Sequence, residues 1–106
     1  MITKELQARI PLEKVKIICE HWHIIEFAVF GSVTNNNFKD DSDIDILITF
    51  ADDTSPTLFD MITITTEFEA ILGRKVDLLT YHSIQNSPNY IRKRDILNSM
   101  QVLYAS

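Results

Sequence analysis

Apolar residues change their period several times along this chain, and each change marks an element. Leu12, Val15, Ile18, Cys19 and Trp22 recur at helical spacing and predict one stripe of an amphipathic helix. Pro11 fits its first turn, where a missing N–H is harmless. Residues 24–30 are almost continuously apolar, branched or aromatic, which predicts a central strand covered on both faces. Gly31-Ser32 breaks that run, and residues 33–38 are expected to hold a short helical turn and then a polar loop. From 43 to 50 the chain alternates strictly. Ile44, Ile46, Ile48 and Phe50 share one face of a strand; Asp43, Asp45, Leu47 and Thr49 share the other. Ser55-Pro56 is predicted to open a helix carrying Leu58, Met61, Ile62, Thr65, Phe68 and Leu72, stopped by Gly73. Residues 76–80 predict a third strand, Ser87-Pro88 a helix running to about Leu97, and residues 102–104 a short final strand. Alternation of this kind predicts an α/β fold, a small mixed β-sheet packed with helices. At 106 residues the chain is read as one domain over positions 1–106.

Composition is that of an ordinary globular chain, 45% hydrophobic and 24% charged. The longest apolar runs are interrupted by Glu26 and Asp45 and fall far short of a membrane span, so no membrane role is expected. The N-terminus lacks the apolar core of a signal peptide. The single cysteine, Cys19, lies in the first helical stripe and reads as a small core residue. These features lead us to expect a reduced, cytoplasmic setting. Net charge is −5, and its distribution is uneven. Nine acids and no Lys or Arg fall between positions 40 and 73. An acidic middle repels a phosphate backbone, which argues against stable nucleic-acid binding.

Three features carry chemistry. Gly31 and Ser32 follow a strand directly; Gly permits a sharp turn and close approach, and backbone N–H groups with a hydroxyl can cradle phosphate. Asp43 and Asp45 lie on one strand face, about 6.6 Å apart along the backbone. Two like charges so placed raise each other's pKa unless a cation lies between them, and hard carboxylate oxygens suit Mg²⁺. Asp77 sits between Val76 and Leu78, an acid inside an apolar run. A strand beside residues 43–50 would let it complete a three-carboxylate metal site; an exposed edge strand is the plainer alternative. His21 and His23, two apart, cannot share a ligand face on a helix. His82 reads as a turn residue, and Arg92-Lys93-Arg94 as a solvated helix face that could touch a partner or a phosphate.

The order strand, Gly31-Ser32, ten residues, Asp43-x-Asp45 in a strand, helix, and strand with Asp77 resembles the DNA polymerase β-like nucleotidyltransferase superfamily. It is most similar to the minimal nucleotidyltransferase branch, from the Leu12 helix to the closing 102–105 segment. The resemblance implies that Gly31 and Ser32 grip the triphosphate of ATP and that Asp43 and Asp45 bind Mg²⁺. It implies that Asp77 completes the metal site and helps activate the attacking hydroxyl. Many minimal members follow Gly-Ser-x with a small residue, a basic residue and Gly. Here the run is Val33-Thr34-Asn35-Asn36-Asn37, which leaves phosphate charge to Mg²⁺, to N–H groups and to Lys39. Stand-alone domains of this kind look like antitoxins paired with a HEPN-domain ribonuclease toxin. The implied activity is transfer of AMP from ATP to a tyrosine of that toxin. Two alternatives stay open: a non-catalytic antitoxin that neutralises by binding alone, and a small-molecule nucleotidyltransferase completed by a partner chain.

Overall fold

The computed structural model describes residues 10–31 and 43–106. Helix α1 (Leu12–Trp22) leads into strand β1 (Ile24–Phe30). After β2 (Ile44–Phe50), α2 (Leu58–Leu72) crosses over to β3 (Val76–Thr80). Helices α3 (Tyr81–Gln85) and α4 (Tyr90–Ser99) then precede β4 (Gln101–Ala105). The four strands form one mixed sheet in the order β3-β2-β1-β4. β2 runs parallel to β3, and β1 runs antiparallel to both β2 and β4. The expected turn and polar loop at 33–38 lie outside the described residues.

The alternation in β2 sorts its side chains into two cores. Ile44, Ile46 and Ile48 meet Phe27 and Val29 of β1 under α1 and α2, which contribute Val15, Ile18, Cys19, Ile64 and Phe68. Leu47 turns the other way and joins Ala28, Phe30, Ile84 and Ile96 beneath α3 and α4. β1 and β2 are therefore covered on both faces, as the apolar run in β1 required. Cys19 is fully buried; burial, aided by the neighbouring Glu20 carboxylate, pushes its thiol up to about 12. It is an inert core group, consistent with its place in the helical stripe.

Two helices are held by specific local bonds. The Asp60 N–H donates to Thr57 Oγ1 at 3.1 Å and the Thr57 N–H donates to Asp60 Oδ2 at 2.9 Å, a capping box that starts α2. Gly73 (φ +68) ends it, its N–H donating to the Glu69 carbonyl. The Glu69 carboxylate then accepts from Val76 N–H at 3.0 Å and fastens the end of α2 to the start of β3. Trp22 Nε1 donates to Glu67 Oε1 at 3.0 Å, tying α1 to α2.

The structure departs from the sequence pattern in three places. α2 begins at Leu58, not at Ser55-Pro56, and its buried stripe is Ile64 and Phe68 with Met61, Ile71 and Leu72 against them. Leu58 and Ile62, expected inside, are 77% and 56% exposed. The apolar residues of α2 nearly encircle the helix, so spacing alone leaves its rotation open. Second, the segment after β3 forms a separate helix, α3, capped by Thr80, and α4 starts only after Asn89. Asn89 Oδ1 accepts from Arg92 N–H at 3.0 Å, which sets that later start. Third, His23 is a C-cap in the left-handed region at φ 59, its N–H donating to the Cys19 carbonyl.

A β-carbon in that conformation costs roughly 1–2 kcal/mol, part of which glycine returns as unfolded-chain entropy. His23→Gly is therefore expected to stabilise the fold by about 1 kcal/mol or less. Urea denaturation read by circular dichroism checks the direction of the change.

Candidate active site

The acids come together through strand pairing. In the parallel β2–β3 register Asp45 lies directly opposite Asp77, and neighbouring strands are about 4.8 Å apart. Ile44 N–H donates to the Lys75 carbonyl at 3.0 Å and locks that register at the strand entrance. Because side chains alternate, Asp45 and Asp77 share the sheet face that carries Leu47 and Leu79. Asp43, two residues before Asp45, precedes the strand on the same side. Asp45 is half-buried, whereas Asp43 and Asp77 are exposed.

This placement is electrostatically unfavourable. Burial pushes the Asp45 carboxyl above its ordinary value, and the nearby Asp77 and Asp43 charges push it further in the same direction. Arg92, reaching in from α4, opposes that shift. As the side chains stand, no three His, Cys, Asp or Glu groups among the described residues are gathered closely enough to hold a metal ion. Mutual repulsion favours exposed carboxylates turned toward water rather than toward one another. The donor chemistry nevertheless suits a hard divalent cation, since all three candidates are carboxylates and two of them stand side by side.

Gly31 closes the site from the β1 side. Its backbone is in the left-handed region, φ +73, and a β-carbon built there would collide with the Asp45 carboxylate. Phe30, one residue before, pairs with Asp45 across β1 and β2. The glycine is thus required both for the turn and for the approach of Asp45 to the backbone. Ser32, the other half of the expected phosphate cradle, lies outside the described residues, as do Lys39 and the 33–37 run. Beside Gly31 opens a cleft of about 420 Å³, whose lining includes Phe30, Gly31, Asn89, Arg92, Asp95 and Ile96, one cation and one acid among them.

The other sequence candidates stand apart. His21 packs edge-on against Trp22, ring centres 5.1 Å apart, and His23 caps the helix. His82 lies in α3 rather than in a turn, with its Nε2 3.1 Å from Asn86 Nδ2. Arg92 is the residue that reading by sequence undervalued. Its signal was the i, i+4 relation to Ile96, which becomes informative once α4 is known to pack on the sheet.

The family model described as a nucleotidyltransferase domain matches residues 13–103, nearly the whole chain. The chain belongs to this nucleotidyltransferase family. A relative from Thermococcus cleftensis named protein adenylyltransferase MntA is 35% identical over 86 residues, covering 81% of this chain and 85% of the relative. A provisionally named protein adenylyltransferase from Methanocaldococcus jannaschii is 46% identical over 57 residues, 54% of this chain and 59% of its own length. That alignment spans less than two thirds of the relative. Among solved structures, a provisionally named minimal nucleotidyltransferase superposes with TM-score 0.68 at 28% identity, covering 95% of both chains. A complex of a tri-AMPylated Shewanella oneidensis HEPN toxin with an MNT antitoxin superposes at TM-score 0.64. At 16% identity, over 95% of this chain and 73% of that one, the likeness is one of fold.

Two outcomes follow for this nucleotidyltransferase domain. Gly31→Ala is expected to destabilise the fold by about 1–2 kcal/mol from backbone strain, with displacement of Asp45 in addition; denaturant midpoints check it. The raised Asp45 titration means that the folded chain holds this proton more tightly than the unfolded chain does. Stability from this group is therefore full at low pH and is lost as pH rises through the raised value. Asp45→Asn, measured without divalent cations, should be more stable than the parent at pH 7. That advantage should shrink as pH falls through the raised value and be gone once pH lies below the ordinary carboxylate range.

Proposed function

We propose that this chain is a Mg²⁺-dependent protein adenylyltransferase acting as an antitoxin, which transfers AMP from ATP to a tyrosine of a HEPN-type toxin. The observation that carries the reading is the side-by-side register of Asp45 and Asp77 next to the Gly31 turn in a nucleotidyltransferase-family chain. The acceptor class is supported by the name of the Thermococcus relative. The partner class is supported by the toxin–antitoxin complex that shares the fold.

In this reading the acceptor hydroxyl attacks the α-phosphorus of ATP. One P–O bond forms, the bond to the bridging oxygen of the β-phosphate breaks, and pyrophosphate leaves. Asp43, Asp45 and Asp77 would hold Mg²⁺, which when bound neutralises charge on the phosphoryl oxygens. Asp77, exposed at the rim, takes the proton of the incoming hydroxyl. The Gly31 turn, with Ser32 following, presents N–H and hydroxyl donors to the triphosphate. Ile84 of α3 and Ile96 of α4 pack on Ala28, Phe30 and Leu47 and keep the sheet face next to the acids dry.

A second reading rests on the acidic stretch between 40 and 73, which would suit a basic partner bound without chemistry. The two separate cleanly in Asp43→Asn with Asp45→Asn, which preserves shape and packing. With toxin, ATP and Mg²⁺, the parent is expected to add the mass of one or more AMP units to the toxin. The folded double variant should be slower by about 100-fold or more and should no longer protect cells. Full protection by that variant, with no added mass on the toxin, would leave the binding reading standing and remove the catalytic one.

A further inference from the structure

α4 lies on the same sheet face as the acids because Ile96 is buried against Ala28, Phe30 and Leu47. Arg92 stands one helical turn before Ile96, so its exposed side chain lies at the cleft-side margin of that face. Its backbone is fixed by the Asn89 cap. Arg92 and Gly31 border the same 420 Å³ cleft, and Gly31 abuts the Asp45 carboxylate. The guanidinium enters no ion pair among the described residues, whereas its neighbour Arg94 faces Asp95, with Arg94 Nε 3.9 Å from Asp95 Oδ1. Arg92 thus lines the cleft together with Asp95, whose charge Arg94 offsets, and with Gly31, which abuts the Asp45 carboxylate, in a chain whose sequence after Gly31-Ser32 carries no basic residue through position 38.

We propose that the cleft between α4 and the end of β1 receives the triphosphate of the nucleotide and that Arg92 binds it. Arg92 thereby supplies from α4 a cation that the sequence directly after Gly31-Ser32 does not carry. A planar guanidinium can donate two parallel N–H bonds to phosphate oxygens, which a lysine cannot reproduce. The same charge also opposes the raised titration of Asp45. Placed on a helix and not in the turn, this contact depends on the packing of Ile96, so phosphate binding and the second core are coupled. The inference rests on the nucleotidyltransferase reading of the site and adds to it a residue and a subsite.

The test is calorimetric titration of the purified chain with Mg²⁺-ATP, ADP and AMP, for the parent, Arg92→Gln, Arg92→Lys and Arg94→Gln. Arg92 is exposed, so its variants are expected to fold, and circular dichroism verifies that. Arg92→Gln should weaken ATP binding by about 10-fold or more, the range of a charged hydrogen bond. Arg92→Lys should recover only part of that loss. The effect should diminish from ATP to ADP to AMP as phosphates are removed. Arg94→Gln removes the same charge away from the cleft and should stay within about twofold of the parent, since an exposed charge contributes little. If the parent binds ATP and Arg92→Gln binds it equally well, the assignment of Arg92 falls while the site reading survives. Equal losses in Arg92→Gln and Arg94→Gln would reduce the effect to net charge and overturn the subsite. If the parent itself binds no nucleotide, the site reading and this inference fall together.

Discussion

Asp45 facing Asp77 across a parallel strand pair is the interaction on which the rest of this structure depends. It is unfavourable by itself: one carboxylate is half-buried, the other lies one strand spacing away, and Asp43 adds a third negative charge. The surrounding fold holds the arrangement in place. The β2–β3 register is fixed by the Ile44–Lys75 bond and by the Glu69 carboxylate on Val76 N–H, and both acids are held on one face by alternation along their strands. Gly31 has no side chain to displace Asp45. Two apolar cores clamp β1 and β2 from both sides, so the acids cannot relieve their repulsion by shifting the sheet.

Electrostatic strain is concentrated at one end of the sheet, next to a left-handed turn that favours glycine and where a β-carbon would meet the Asp45 carboxylate. In the proposed function the same carboxylates that disfavour the bare fold would serve as ligands to a divalent cation. Arg92 occupies an intermediate position. It opposes the raised titration of Asp45 in the protein alone, and under the proposed function it would be available to a phosphate once the acids hold a cation.

Much of this was legible in the residues themselves. The strict alternation from 43 to 50 assigned both faces of β2, and the apolar run in β1 announced a strand covered on both sides. Asp77 inside a short apolar run allowed either a neighbour for Asp45 or an exposed edge strand, and both hold: β3 is the edge of the sheet, and Asp77 is exposed there opposite Asp45. What sequence could not supply was rotation and long-range approach. α2 is apolar nearly all the way round, so its inward stripe of Ile64 and Phe68 is decided by the shape of the sheet and not by spacing. The short α3 was obscured because Thr80, its cap, also ends an apolar strand. Arg92 reads as one charge in a basic run until Ile96 is seen to be buried, which fixes the face at whose cleft-side margin Arg92 lies.

The most direct test is the thermal stability of the parent, Asp45→Asn and Asp77→Asn, each with and without Mg²⁺. If the carboxylates form one cation site, each asparagine variant should melt above the parent in chelator. Adding Mg²⁺ should then raise the parent alone, with the order narrowing or inverting. Stabilisation by Mg²⁺ that is equal in all three proteins, or absent from the parent at millimolar concentration, would contradict the account. Asp45 and Asp77 would then be neighbours by topology alone.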